Sequence, residues 1–281
     1  MRKTLVAGSA LALSLVLAAC GSGSGSGSAS GSGDGGGADD TLVVGATAVP
    51  AGEVLTYIKD ELAAQAGLDL EIKEFTDYVL PNTALQEGSL DANLYQNQPY
   101  LDDFNKAQGT DLVSVVKAYL PPMGVYSKKV DDVRDLADGA TVAVPADTTN
   151  EGRALKLLAS QGVITLEADA GADASPADIS ENPKNLEFKE LEPAQLPRSL
   201  DDVAAAVINN NYAQDAGLSP TKDAVLLESA QDNPYANLLA VRRGDEDDPR
   251  VRKLVRLLTS AEVRKFIEDK YQGSVLPVTS G

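Results

Sequence analysis

The sequence predicts an α/β fold with two lobes and a cleft for a small ligand between them. Three observations support this class: short apolar runs alternate with helical patterns from Thr41 onward, the pattern restarts near residue 140, and two helices finish the chain. The alternation indicates largely parallel sheets. The restart indicates two lobes, with a C-terminus that returns to the first, and a cleft between lobes commonly binds small ligands.

Four apolar runs in the first half have the length of buried strands. They cover residues 42–46, 68–72, 90–95 and 112–119. One helix with an apolar stripe begins near Val54, and a second, over 99–108, ends at Gly109. Pro121 and Pro122 break the last run, so the chain is expected to leave the first lobe there.

The second half opens with a strand at 140–144 and a helix whose first turn carries Thr148 and Glu151, the spacing of a capping box. Small, acidic and proline residues over 168–184 predict an irregular excursion. Strands follow at 186–191, 205–208, 224–227 and 237–241, and helices at 249–258 and 261–271. The resulting assignment is 41–122 and 237–281 for the first lobe and 123–236 for the second.

Composition excludes several chemistries. The chain has no histidine and one cysteine, so Ser-His-Asp triads, histidine-ligated zinc and thiolate metal clusters are not expected. Its net charge of −18 repels phosphate backbones, so nucleic acid is not expected as a partner. We expect no catalytic residue, no metal site and no cofactor.

The sole cysteine, Cys20, ends an apolar run at the start of the chain. Arg2 and Lys3 precede this run, which is the order of a secretory signal, and the run is too short to span a bilayer comfortably. The segment LAAC (17–20) resembles the bacterial lipobox. That resemblance implies a signal peptide over 1–19 and a lipid anchor on Cys20; an uncleaved anchor helix is the alternative.

Residues 20–40 comprise Cys20 and a segment of mainly glycine and serine, with alanine and acidic residues. Such a segment cannot bury apolar surface and is expected to be a random coil with a reach of roughly 25 Å. An acylated Cys20 would therefore hold the folded part close to a bacterial cell membrane.

Seven segments carry a resemblance to a known family. They are FTDYVLPN (75–82), DANLYQNQPYL (91–101), GVYSKK (124–129), PADTTNEGRAL (145–155), ENPKNLEFKELEPAQLPRSLDD (181–202), AVINNNYA (206–213) and NPYANLL (233–239). In order and spacing they resemble the NlpA-type lipoproteins, the methionine-binding components of ABC importers. The resemblance covers nearly all of residues 42–278 and implies a two-lobed periplasmic-binding-protein fold, type II-like.

The resemblance also implies the partners. It points to a monomer on the extracytoplasmic face that captures L-methionine and delivers it to an ABC permease and its ATPase. D-methionine, methionine dipeptides and other small amino acids stay open as ligands.

Arg153 is the best candidate for the carboxylate of a free amino acid. It lies in the first turns of the predicted helix, where unsatisfied N–H groups and a guanidinium can both meet an anion. Without the resemblance, a surface arginine facing Glu151 or solvent would be the ordinary interpretation.

Three asparagines, Asn150, Asn209 and Asn237, lie at the ends of predicted elements. An amide both donates and accepts hydrogen bonds, which suits a zwitterion. By resemblance they face the cleft, although asparagine at such positions is otherwise usually a cap or a turn.

By resemblance, Tyr78, Tyr95 and Tyr100 supply an aromatic wall for a thioether, and core packing is the alternative. Family members usually read Phe-Gln-His where this chain has Tyr95-Gln96-Asn97. Asn97 is retained as a ligand-binding candidate, but it cannot become cationic.

Two other functional classes stay open. An enzyme would need a nucleophile such as Ser114 or Ser219, each followed by a lysine three residues later, but the companion motifs of serine acyl transfer are missing. A structural or surface-interaction lipoprotein would bind no small ligand.

Overall fold

The computed structural model describes residues 40–278. Its strands are β1 (Thr41–Thr47), β2 (Asp69–Phe75), β3 (Ala92–Asn97), β4 (Leu112–Leu120), β5 (Gly124–Tyr126), β6 (Thr141–Pro145), β7 (Thr165–Leu166), β8 (Ile179–Glu181), β9 (Glu187–Leu191), β10 (Ala205–Ile208), β11 (Ala224–Leu227), β12 (Asn237–Arg242) and β13 (Leu276–Pro277).

Its α-helices are α1 (Glu53–Tyr57), α2 (Leu80–Gln86), α3 (Gln98–Gln108), α4 (Thr148–Ala159), α5 (Asn210–Asp215), α6 (Pro220–Asp223), α7 (Pro249–Leu258) and α8 (Ala261–Tyr271). Wider π-helical turns at Ala48–Gly52 and Ile58–Leu62 flank α1, and 3-10 turns cover Val133–Asp135, Pro176–Asp178 and Pro193–Asp201.

Two larger sheets organise the described residues. One has six strands in the order β13-β4-β12-β3-β1-β2 and the other has five in the order β11-β5-β10-β6-β9. In the first core, Leu42 and Val44 of β1 are buried with Leu254 of α7. In the second, Val142 of β6 is buried with Leu155 of α4.

The expectation of largely parallel sheets is wrong. Strand β1 is parallel to β2 and β3, and β6 is parallel to β9 and β10, but β12 runs antiparallel between β3 and β4, and β5 runs antiparallel between β10 and β11. Both reversed strands follow a passage of the chain from one sheet to the other. Each one starts at the edge of the sheet where the strands on either side of it end, and it runs in the opposite direction to both.

At the C-terminus, β13 pairs with β4, and α7 and α8 have the predicted bounds. The 168–184 excursion is more ordered than expected, because β8 pairs with β7. Short α2, α5 and β5 were not predicted. The exact lobe boundaries stay a prediction.

The expected signal peptide, Cys20 and the expected linker up to residue 39 lie outside the described residues. Within residues 40–278, none of the helices combines the length and apolar character needed to span a bilayer.

Candidate functional site

A narrow cavity lies between the two sheets, at the edge where β3 and β10 end. All eight ligand-binding residues expected from the sequence line it. They are Tyr78, Tyr95, Asn97, Tyr100, Asn150, Arg153, Asn209 and Asn237. The first four and Asn237 belong to segments of the six-stranded sheet, and the other three to segments of the five-stranded sheet. The serines considered as nucleophiles do not line this cavity.

Helix α4 places two of these residues on one face. Its N-cap is Asp147, whose side chain accepts the backbone N–H of Asn150 at 3.0 Å. The expected capping box with Thr148 as N-cap is therefore wrong, because the N-cap lies one residue earlier. A carboxylate in extended backbone just before the first turn is a strong cap. Asn150 and Arg153 are three positions apart and therefore face the same direction.

Arg153 is buried, with only 3% of its surface exposed, so the interpretation as a surface arginine is wrong. Its Nε and Nη2 donate to the two carboxylate oxygens of Glu228 at 2.9 and 2.5 Å, and Nη2 also donates to the carbonyl of Pro121 at 3.2 Å. The guanidinium carbon lies 4.2 Å from the ring centroid of Tyr235. Among residues 40–278, Nη1 has no hydrogen-bond partner.

Glu228 is ionised by this arrangement. Burial opposes ionisation, but the charge and hydrogen bonds of Arg153 outweigh it and hold the pKa of the Glu228 carboxyl below its usual value. Sequence reasoning missed Glu228 and Tyr235. For Glu228 the available signal was its position directly after the predicted strand 224–227, where an acidic side chain can face the cleft.

Asn209 offers an unused acceptor beside this charge pair. Its side-chain amide donates to Oδ1 of Asn150 at 2.8 Å, and Asn150 in turn donates to Asp147. The Oδ1 atom of Asn209 is buried and lacks a partner among the described residues. A buried acceptor without a donor is costly, so this atom is suited to a ligand that brings a donor.

Three tyrosines form the aromatic end of the cavity, on the side that belongs to segments of the six-stranded sheet. Ring centroids of Tyr78 lie 5.9 Å from those of both Tyr95 and Tyr100. The hydroxyls of Tyr95 and Tyr100 both donate to the carbonyl of Tyr78, at 2.7 and 3.0 Å. Burial raises the pKa of all three phenols above the ordinary value, so they stay neutral. With their hydroxyls occupied, the rings present an aromatic surface.

The two remaining asparagines, Asn97 and Asn237, form hydrogen bonds within the fold. Asn97 accepts the backbone N–H of Tyr100 at 3.1 Å and so caps α3. Asn237 donates to the carbonyl of Tyr95 at 2.9 Å and, more weakly, to the hydroxyl of Tyr119. Both residues fix the aromatic end as well as lining the cavity.

Direct contacts join the two sides of the cavity. The hydroxyl of Tyr78 donates to Oδ1 of Asn211 at 2.5 Å, and the hydroxyl of Tyr212 donates to the carbonyl of Thr76 at 3.0 Å. The two tyrosine rings are 5.1 Å apart. Asn211 and Tyr212 were not singled out from the sequence, because the contacts connect residues more than 130 positions apart.

Several carboxyl groups lie near Glu151 of α4. Burial, followed by the neighbouring Glu190, raises the pKa of Glu151 to about 7, with smaller effects from Asp147 and Asp178. Oε1 of Glu151 and Oδ2 of Asp147 are buried without hydrogen-bond partners in the described part of the chain. Even so, residues 40–278 contain no group of side chains suited to holding a metal ion.

The sequence was also compared with known families. A family model described as NlpA lipoprotein matches residues 42–279, which includes every residue that lines the cavity. The chain belongs to this family.

Several relatives are similar over most of their length. The D-methionine-binding lipoprotein MetQ of Salmonella typhimurium is 45% identical over 237 residues, which cover 84% of this chain and 86% of that protein. A nutrient binding protein from Burkholderia cenocepacia bound to methionine is 50% identical, with a TM-score of 0.82, and the match covers 85% of this chain and 100% of that one.

An ABC transporter periplasmic substrate-binding protein from Coxiella burnetii is 43% identical, with a TM-score of 0.81 and coverage of 84% of this chain and 100% of that one. These matches confirm the two-lobed periplasmic-binding-protein fold that the resemblance implied. The membership of the NlpA lipoprotein family is confirmed as well.

Proposed function

We propose that this chain is a lipid-anchored receptor that captures methionine in the cavity between its sheets and delivers it to an ABC import permease. Cys20 would carry the anchor on the extracytoplasmic face of a bacterial membrane, and the glycine-serine segment would let the folded part reach the permease. The protein would act as a carrier of its ligand.

One observation carries the proposal: the cavity combines an unused cationic donor with an unused acceptor. Nη1 of Arg153 lacks a partner among residues 40–278, and so does the buried Oδ1 of Asn209. A free amino acid has a carboxylate for the first and an ammonium for the second. Charge-assisted hydrogen bonds of this kind are stronger than neutral ones, which favours a zwitterion over a neutral ligand.

The aromatic end supports a sulfur-containing side chain. Contact between a thioether and an aromatic ring contributes about 0.3–1.5 kcal/mol, and a flexible methionine tail can follow an irregular wall. Tyr78, Tyr95 and Tyr100 provide such a wall with their hydroxyls already bonded. The names of the relatives agree, since one describes a D-methionine-binding lipoprotein and another a nutrient binding protein bound to methionine.

Capture would proceed by closure around the ligand. Its polar head would contact segments of the five-stranded sheet and its tail segments of the six-stranded sheet. A ligand that touches both sides binds the closed arrangement better than an open one and therefore shifts the population toward it. The permease could then distinguish loaded from empty receptors by their shape.

The test is calorimetric titration of the purified protein with the twenty standard amino acids and D-methionine, after bound material has been removed by unfolding and refolding. Methionine should give saturable heat with one site, and alanine should not. Titrations with methionine-containing dipeptides, the two stereoisomers and other small amino acids show how broad the ligand specificity of the cavity is. Absence of heat with all of these ligands would favour a surface-interaction lipoprotein and contradict the proposal.

A further inference from the structure

The guanidinium of Arg153 is held on one edge and open on the other. Glu228 occupies Nε and one hydrogen of Nη2, and the carbonyl of Pro121 lies within reach of Nη2 as well. An arginine fork has five N–H donors in fixed directions. The two on Nη1 have no acceptor among the described residues, and Arg153 lines the cavity.

The plane of this fork is fixed by two further contacts. The ring of Tyr235 lies under the guanidinium carbon at 4.2 Å, which restricts rotation out of the plane. Glu228 is itself tied to the chain near Met123: its Oε2 accepts the backbone N–H of Met123 at 3.1 Å, and its own backbone N–H donates to the Met123 carbonyl at 2.9 Å. The anchor for Arg153 is therefore itself held by two hydrogen bonds to the backbone of Met123.

Met123 lies in the passage that leads from β4 to β5, and Glu228 directly follows β11. The carboxylate that holds Arg153 is thus attached to a connection between the two sheets.

We propose that Glu228 is a positioning residue for the carboxylate of the ligand. It holds the Arg153 guanidinium so that Nη1, with both hydrogens free, stays in the cavity before the ligand arrives. This inference rests on the proposed function and deepens it. It assigns recognition of the ligand's acid end to an Arg153–Glu228 unit rather than to the arginine alone.

Two effects of Glu228 oppose each other. Its negative charge reduces the attraction between Arg153 and an incoming carboxylate, but it also compensates a cation that is 97% buried. An uncompensated buried charge is costly enough that Arg153 would turn toward water or toward a backbone carbonyl. Because a carboxylate needs a donor in a fixed direction, we expect loss of position to outweigh the gain in attraction.

The experiment compares L-methionine with L-methioninamide, in which a neutral amide replaces the carboxylate. Both are titrated calorimetrically into the refolded full-length protein. The dissociation constant of methioninamide divided by that of methionine measures recognition of the acid end. In Glu228→Gln, methionine should bind at least about tenfold more weakly, the scale for a disrupted charged hydrogen bond, with methioninamide changed by less than about threefold. The ratio therefore falls.

Two variants serve as controls. Glu228→Asp keeps the charge but draws the carboxylate back by one methylene, so its ratio should lie between those of wild type and Glu228→Gln. Glu187→Gln removes an exposed glutamate on β9 outside the cavity and should keep the wild-type ratio. Thermal melts without ligand establish that each variant is folded, and Glu228→Asp alone decides the matter if the glutamine variant does not fold.

The outcomes separate this inference from the proposed function. A wild-type ratio in both Glu228 variants, with a lower Tm, would make Glu228 merely structural, and a higher ratio would make it a competitor for the cation; either result overturns the inference and leaves methionine capture intact. A wild-type protein that does not bind methionine would overturn the proposed function, and the inference with it.

Discussion

On one side of the cavity, the polar end, the lining side chains are charged or amide groups on α4 and after β10, and on the other, the aromatic end, tyrosine rings lie around β3 and α3. Within residues 40–278, two atoms of the polar end have no hydrogen-bond partner, namely Nη1 of Arg153 and Oδ1 of Asn209. The aromatic end leaves none of its three phenol hydroxyls without a partner. One end is prepared for hydrogen bonds and the other for contact with an apolar tail.

This difference also follows the chain. Segments of the five-stranded sheet supply the polar end, while the aromatic end belongs to segments of the six-stranded sheet. Neither sheet by itself matches an amino acid such as methionine. Selectivity and closure are therefore linked, because a ligand with the wrong head or the wrong tail would engage only one side.

The largest expected effect comes from removing the cation. Arg153→Ala should weaken methionine binding by more than about a hundredfold, or roughly 3 kcal/mol, because the carboxylate loses its charged donor. The Tm should also fall, since Glu228 is left as an unpaired buried charge. Calorimetry on the folded variant provides the measurement.

The matched control is Arg243→Ala, which removes an exposed arginine paired with Asp111 away from the cavity. It should bind methionine as wild type does, because Arg243 does not line the cavity. Exposed ion pairs contribute little to stability, so the fold should be kept. Wild-type affinity in Arg153→Ala would show that the polar end has been assigned to the wrong residue.

A smaller effect is expected at the acceptor for the ammonium. Asn209→Ala should weaken methionine binding by about tenfold, because a hydrogen bond to a charged group is lost. It should leave the affinity for 4-(methylthio)butanoate, which has the same tail and carboxylate but no amine, almost unchanged. Equal losses for both ligands would mean that Asn209 only supports Asn150.

The aromatic end should show its contribution as a preference for sulfur. In Tyr100→Leu, the preference for methionine over norleucine should fall by roughly twofold to tenfold, the range of a sulfur–aromatic contact. Tyr100→Phe keeps the ring and should keep the preference, although it loses the hydrogen bond to the Tyr78 carbonyl. An unchanged preference in the leucine variant would contradict an aromatic site for the thioether.

The smallest effect concerns pH and the helix behind the polar end. The pKa of Glu151 is raised from 4.5 to about 7 in the folded protein, so the folded state binds the additional proton. The stability associated with that proton is present below the unfolded pKa and is lost as pH rises through about 7. Glu151→Gln should therefore raise the Tm at pH 8 by roughly 2–4 °C.

Near pH 4 the same substitution should change the Tm little, because Glu151 is then protonated in the folded state. A matched pH series of Tm values for wild type and Glu151→Gln provides the measurement. Parallel Tm curves across this range would contradict the raised pKa.

The sequence was most informative where local patterns decide structure. The strands β10 and β11 and the helices α7 and α8 have the predicted bounds, because their apolar periodicity and the turn residues around them agree. The eight ligand-binding candidates were predicted by resemblance to a family; the arginine and asparagines among them fitted a zwitterion, and the tyrosines fitted a thioether tail. Amide and guanidinium groups at the ends of elements indicate such chemistry even without coordinates.

Long-range features could not be predicted in this way. The pair of Arg153 and Glu228 joins residues 75 positions apart, and neither apolar pattern nor spacing indicates which acid meets which base. The reversed direction of β12 depends on where the chain re-enters the sheet, which periodicity does not record. In both cases the tertiary path of the chain decides the result.

The most direct test of the central claim is a crystal structure of the refolded protein with L-selenomethionine, recorded at the selenium edge. The account predicts an anomalous peak against the rings of Tyr78, Tyr95 and Tyr100, with the ligand carboxylate on Nη1 of Arg153 and its ammonium on Oδ1 of Asn209. A selenium peak beside Arg153, or a ligand that contacts only one of the two sheets' segments, would contradict it.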